Sequence, residues 1–230
     1  MGDSRAVLKR NAPERERDPP YLMSTERLVV ENLHLWRGDR HVLRGLGFAL
    51  RAGECLQVTG PNGSGKTSLL RTLCGLMHAE QGRVLWQGRD VRADLAAFHG
   101  ALAYLGHDPP LKADLSAREN LRYWIGVRRR VDAAVLDAAL ERVGAGAWRE
   151  RLVRTLSAGQ RRRVALAGLA LLVVPLWLLD EPTTNLDTEG QLLVGDLLAE
   201  QLARGGLVVA AVHHALPGAV RDPQRLELAA

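Results

Sequence analysis

Gly60-Pro61-Asn62-Gly63-Ser64-Gly65-Lys66-Thr67 decides the fold, because of what stands on either side of it. Before it lies the apolar run Cys55-Leu56-Gln57-Val58-Thr59, which reads as a short buried strand. After it, Ser68 to Leu76 carries helical periodicity. A strand and a helix joined by G-x-x-x-x-G-K-[ST] form the pattern of a phosphate-binding loop. The glycines let main-chain N–H groups curl around an anion, and the helix N-terminus adds its partial positive charge. Lys66 then reaches the β and γ phosphates of a nucleoside triphosphate, while Thr67 offers its hydroxyl to magnesium. A plain glycine-rich turn would explain neither the lysine nor the hydroxyl that follows it. Gly60 through Ser68 is therefore expected to cradle ATP with Mg2+.

Working outward, the most hydrophobic segment runs from Val164 to Leu179 and is divided by Pro175. It falls short of the ~20 residues a spanning helix needs, so it reads as a buried helix followed by the strand Leu176-Trp177-Leu178-Leu179. That strand ends in Asp180-Glu181, which puts two carboxylates at the carboxyl edge of the sheet beside the phosphate loop. Asp180 is expected to reach magnesium through water, and Glu181 to polarise an attacking water as general base. The alternative, a solvated pair of acids at a strand end, loses ground once a phosphate loop lies upstream. Further strands are expected at Leu28 to Leu33, Gly47 to Leu50, Gly82 to Gly88 and Leu207 to Val212. Helices are expected over Ser157 to Val173 and Glu189 to Arg204, and helical periodicity marks about Ser116 to Arg154. Apolar strands alternating with helices predict an α/β fold with a parallel sheet covered on both faces.

The 230 residues, 47% hydrophobic and 25% charged, suit one ordinary globular domain. A formal charge of +5 comes almost wholly from arginine, since lysine stands only at Lys9, Lys66 and Lys112. The excess is modest, so general solubility explains it better than a polyanion partner, and nucleic acid is not expected. Cys55 and Cys74 lie in apolar stretches without metal-ligand spacing, which gives no support to a disulfide framework or zinc site and points to a reducing cytosol. No secretory signal pattern opens the chain. Residues 1–22, rich in Arg, Glu and Pro, are expected to form a disordered extension, with Met23 as a candidate start of translation.

Leu156-Ser157-Ala158-Gly159-Gln160 opens a helix with a good N-cap, a glycine that allows close backbone approach, and free first-turn N–H groups. These five residues alone are compatible with no more than a capped helix. As a second phosphate site they would complete the pocket of another copy of the chain. Their place between the phosphate loop and Asp180-Glu181 resembles the LSGGQ signature of ABC transporter ATP-binding subunits, and the resemblance covers about Leu28 to Ala215. It implies a RecA-like P-loop core with a small antiparallel β subdomain and an inserted α-helical subdomain at about 111–155, all within one domain, 23–230. It also implies a homodimer in which Ser157, Gly159 and Gln160 meet the ATP held by the partner, and Asp187 in a loop that crosses between subunits. His213 matches the switch histidine that contacts γ-phosphate.

Two positions depart from the family pattern. His107 stands where a glutamine usually links the nucleotide to the transporter, and it retains donors for water or magnesium. Arg37 stands where an aromatic usually stacks on adenine, with Trp36 one residue early, so either Arg37 stacks by its guanidinium plane or Trp36 is displaced into the role, unless Trp36 simply packs in the sheet. Glu119 to Trp124, Leu156 to Ala167 and Pro175 to Pro182 together resemble the ATPase subunits of the bacterial cytochrome c maturation system, of the CcmA type. Gly168, Asn185 and Ala211-Val212 differ from what that subfamily tends to carry. The resemblance implies integral membrane partners, a peripheral place on the cytoplasmic face of the bacterial inner membrane, and haem as the transported matter, although no direct haem site is evident. A soluble ABC protein acting on ribosomes or DNA would suit the charge, but such chains commonly carry two ATPase units. A P-loop kinase would leave Leu156 to Gln160 without a role.

Overall fold

The computed structural model describes residues 7–9, 26–217, 220 and 222–229. In chain order its elements are β1 (Val7–Lys9), β2 (Glu26–Arg37), β3 (Arg40–Arg51), β4 (Cys55–Thr59), α1 (Lys66–Leu73), β5 (Gln81–Trp86), β6 (Arg89–Asp90), α2 (Leu95–Gly100) and β7 (Leu102–Leu105). There follow α3 (Ala117–Gly126), α4 (Ala133–Arg142), α5 (Ala158–Leu171), β8 (Leu176–Asp180), α6 (Thr188–Ala203), β9 (Leu207–Ala211) and β10 (Gln224–Glu227). Short 3-10 turns lie at Val91–Ala93, Gly146–Trp148 and Val153–Thr155.

Among the described residues the main sheet has the order β1-β10-β4-β9-β8-β7, parallel throughout except for β1 against β10. A second sheet, β3-β2-β5-β6, is antiparallel. The period of two along each strand sorts the core into halves. Leu176, Leu178, Leu207 and Val209 pack with α1, α2 and the antiparallel sheet on one face. Trp177, Leu179, Val208 and Ala210 pack with α3, α4, α5 and α6 on the other. Burial on both faces is why β8 and β9 read as unbroken apolar runs.

The structure departs from the expected elements in places that have local causes. The strands expected at Leu28 to Leu33 and Gly47 to Leu50 are two 12-residue arms of a hairpin. Their apolar alternation is broken by register shifts around Leu33, next to Asn32 in the left-handed region at φ 46. Val7–Lys9 lies in the extension expected to be disordered, yet it forms a strand paired with β10; the remainder of residues 1–22 and Met23 lie outside the described residues. Gly168 has a packing reason. A Cβ there would stand 2.4 Å from the Trp124 ring, so the α3 tryptophan occupies the space a larger residue on α5 would need. No helix among the described residues is long and apolar enough to cross a membrane.

Candidate active site

The strand order sets the site, because β4, β9, β8 and β7 are parallel neighbours and their carboxyl ends lie in one row. The phosphate loop follows β4, His213 follows β9, Asp180 closes β8 with Glu181 after it, and His107 follows β7. Four segments far apart in sequence thus meet at one edge.

The phosphate loop needs its glycines for identifiable reasons. Gly60 has φ 143, and a Cβ there would sit 2.4 Å from the Leu228 carbonyl oxygen. Gly65, the N-cap of α1 at φ 104, would place a Cβ 2.4 Å from Val42. The buried Lys66 ammonium donates to the carbonyls of Gly60 and Pro61 at 2.7 and 3.1 Å. The Thr67 hydroxyl donates to Asp180 Oδ2 at 2.8 Å. Ser64 is buried, and its hydroxyl finds no hydrogen-bond partner among the described residues. A cleft of ≈ 450 Å³ opens over this loop, lined by Asn62, Gly63, Gly65, Lys66, Thr67, Ser68 and Glu181, with Arg37, Arg40 and Val42 of the hairpin as its other wall.

Arg37 is therefore brought to the cleft and Trp36 is not. The Trp36 indole stacks on His41 at 3.7 Å between ring centroids, with His34 beyond it. Arg40 and Val42 were missed by sequence reasoning; only their spacing across the hairpin turn from Arg37 could have marked them.

The Glu181 carboxylate is faced by three side chains. His213 Nε2 lies 2.7 Å from Oε1, Thr184 Oγ1 donates to Oε2 at 3.1 Å, and His107 Nδ1 lies 3.6 Å from Oε2. Burial alone would raise the Glu181 pKa. The Thr184 and His213 hydrogen bonds, with the charges of His213 and His107, outweigh burial and leave the carboxyl below its ordinary value of 4.5. It stays ionised as pH falls toward that value. Removing the Thr184 hydroxyl as Thr184→Val should weaken this hold and shift the acid limb of turnover upward by up to about one pH unit. A kcat–pH profile that does not move would contradict this.

Glu181 also has φ 50, an unfavourable left-handed conformation for a residue with a side chain. Its main chain is fixed on both sides, N–H to the Ala211 carbonyl at 2.9 Å and carbonyl to Arg162 at 2.7 Å.

The helix expected to begin at Ser157 does so with a capping box. Ser157 Oγ accepts from the Gln160 N–H at 3.2 Å, and the Gln160 side chain accepts from the Ser157 N–H at 2.9 Å. The N–H groups of Ala158 and Gly159 remain at the open end of the helix. A Cβ on Gly159 would meet the Asn185 carbonyl at 2.6 Å, so the glycine lets the loop before α6 lie against the helix. Asn185 itself takes φ 65, which asparagine tolerates. Asp187 caps α6 by accepting from the Gly190 N–H, and it also pairs with Arg163 at 2.7 Å. Ser157, Gly159, Gln160 and Asp187 thus form a second cluster, absent from the cleft lining.

Fold and site together define a P-loop ATPase, with a nucleotide cradle, a held carboxylate at the strand ends and a separate capped helix. The ABC transporter family matches residues 43–184. The cytochrome c biogenesis ATP-binding export protein CcmA of Methylococcus capsulatus is 48% identical over 84% of this chain and 94% of its own length. Its namesake from Salmonella typhi is 43% identical over 87% and 96%. Among solved structures, a putative ABC transporter ATP-binding protein from Pyrococcus furiosus aligns with TM-score 0.76 at 24% identity, covering 88% of this chain and 97% of that one. The cbiO1 subunit from Clostridium perfringens aligns with TM-score 0.67 at 27% identity, covering 82% and 79%. This chain belongs to the ABC transporter family and is its nucleotide-binding ATPase component.

Proposed function

We propose that this chain is the ATP-hydrolysing subunit of a cytochrome c biogenesis export system. It works as a head-to-tail homodimer on integral membrane partners, at the cytoplasmic face of a bacterial inner membrane. The observation that carries the chemistry is the Glu181 carboxylate, held ionised by Thr184, His213 and His107 on the edge of a cleft whose floor is Lys66 and Thr67. The names of the relatives at 42–48% identity support the biological setting.

In this reading the loop N–H groups and Lys66 bind the triphosphate, with Ser64 and Ser68 alongside. Glu181 orients a water and accepts its proton as the γ-phosphorus is attacked. His213 steadies the Glu181 carboxylate and, with His107, completes the donor set around the reacting end. Thr67 and Asp180, two oxygen donors in contact, fit magnesium, which would supply charge neutralisation for the phosphates. Arg37 faces the base end of the cleft and replaces the aromatic platform with a planar cation. The open end of the Ser157 helix, with Gly159, Gln160 and Asp187 around it, receives the γ-phosphate of the partner's ATP. ATP then favours the closed dimer, and hydrolysis releases it. The α3–α4 segment is the surface for the membrane subunits.

The test is genetic and biochemical. A strain lacking this gene should lose c-type cytochromes, detected by haem staining, and regain them with the wild-type gene but not with a Glu181→Gln copy. Normal c-type cytochromes in the deletion strain would refute the export reading.

A further inference from the structure

We propose that Arg162 is the positioning residue that ties the helix opened by Ser157 to the strand ends carrying Glu181 and His107. Arg162 is 2% exposed, one of the largest fully buried side chains in the protein. Its guanidinium donates to three main-chain carbonyls, those of Gly106 at 2.9 Å, Asp180 at 3.2 Å and Glu181 at 2.7 Å. The paired register of β7 and β8 runs as far as Leu105 opposite Leu179. Gly106, just past β7, and Asp180, the last residue of β8, come next, and Arg162 bridges their carbonyls just past the last pair. One side chain of α5 therefore continues the hydrogen bonding of two adjacent strand ends.

Burying a guanidinium is a costly way to fill space, even with the Asp180, Glu181 and Asp108 carboxylates near enough to offset part of its desolvation, and an apolar side chain would fill it with no charge to desolvate. What the planar fork provides is a fixed geometry among three acceptors, which neither a lysine ammonium nor a glutamine amide can reproduce. The acceptors are not incidental. Glu181 is held left-handed at φ 50, with its N–H donated to Ala211 and its carbonyl accepting from the Thr184 N–H at 3.1 Å, and Arg162 adds a further, shorter bond to that same carbonyl at 2.7 Å. Gly106 immediately precedes His107, whose ring faces the same carboxylate. Ser157 lies five residues earlier on the helix, about 7 Å along its axis. The neighbouring Arg163 turns instead to Asp187 and the Val143 carbonyl. Engagement of the helix N-terminus by an anion would thereby be transmitted to the Glu181 main chain.

The inference rests on the reading of Glu181 and Ser157 given above, and the full-length protein can separate the two. Steady-state ATP hydrolysis, equilibrium ATP binding and thermal unfolding are measured for Arg162→Lys, Arg162→Gln, Glu181→Gln and the double variant Arg162→Gln/Glu181→Gln. Turnover should fall about tenfold in Arg162→Lys and about a hundredfold in Arg162→Gln, with ATP affinity and KM within about threefold of wild type. In the Glu181→Gln background the added Arg162→Gln should cost no further turnover, because a residue acting through Glu181 has nothing left to position. Arg162 variants that melt earlier yet keep wild-type kcat would reduce the residue to a structural role and overturn the proposal. A further large loss in the double variant would also overturn it, since Arg162 would then act independently. If Arg162→Gln does not fold, Arg162→Lys, which keeps the charge, decides by the same split between kcat and KM. Full turnover in Glu181→Gln would instead sink the reading of Glu181 itself.

Discussion

Glu181→Gln should lower ATP turnover by on the order of 10²- to 10⁴-fold, the range supplied by a positioned general base, while ATP binding stays near wild type. The substitution preserves shape and most hydrogen-bonding capacity, so Thr184 and His213 can still hold the side chain. It removes the one thing the local geometry is built to maintain, an ionised oxygen beside the cleft. The five influences on Glu181 act in opposite directions. Burial favours the neutral acid, and two hydrogen bonds and two imidazole charges together favour the carboxylate and prevail. The left-handed main chain at φ 50 adds a cost on the order of 1–2 kcal/mol that a solvated acid at a strand end would have no reason to carry. Binding should survive because Lys66 is held by the Gly60 and Pro61 carbonyls and Thr67 by Asp180, bonds in which the Glu181 side chain takes no part. Phosphate release and equilibrium nucleotide binding measure the two halves. Gel filtration with ATP adds a third: an arrested variant should accumulate as a dimer. Turnover within a few-fold of wild type would remove Glu181 from the chemistry.

How much of this was legible in the sequence depends on whether a residue's role is set locally. Gly60 to Thr67, Asp180 and Glu181 could be read because spacing along one strand–turn–helix fixes what they face. The capping box of Ser157 with Gln160 is likewise local, four consecutive residues that satisfy each other. The convergence of His107, His213 and Glu181 follows from strand order, and without the family resemblance no periodicity would have brought three separate loops together. Arg162 is the clearest case of illegibility. Arg161, Arg162 and Arg163 are identical neighbours in the sequence, yet one turns to the Leu156 carbonyl, one is buried under the strand ends and one pairs with Asp187. Which of three identical residues faces inward is decided by the seating of α5 against β7 and β8. The short β7 and β10 escaped notice for a related reason: four residues each give too few alternations to separate strand from loop. Trp36 had two open assignments, and only the cross-strand stack with His41 assigned it away from the cleft.

Lys66→Ala should weaken ATP binding by about ten- to a hundredfold, the equivalent of losing a charged hydrogen-bonding partner of phosphate oxygens. In the structure the ammonium donates back to the loop through the Gly60 and Pro61 carbonyls, so the charge is already desolvated and aimed under the site before any phosphate arrives. Binding then exchanges two neutral acceptors for anionic ones, which are roughly twice as strong. The cleft holds two other cations, Arg37 and Arg40, but these line its opposite wall on the hairpin. If positive charge in the cleft were all that mattered, Arg37→Ala would cost as much as Lys66→Ala. Position argues otherwise, because Lys66 begins α1 at the helix N-terminus, where N–H groups and the partial positive charge already converge on the anion. Arg37→Ala is therefore expected to cost only a few-fold, and to cost it on the base rather than the phosphates. Titration with ATP and with inorganic triphosphate distinguishes the two. Lys66→Ala should weaken both ligands in equal proportion, and Arg37→Ala should weaken ATP alone. Equal losses for the two variants on both ligands would overturn the assignment of phosphate to Lys66 and base to Arg37.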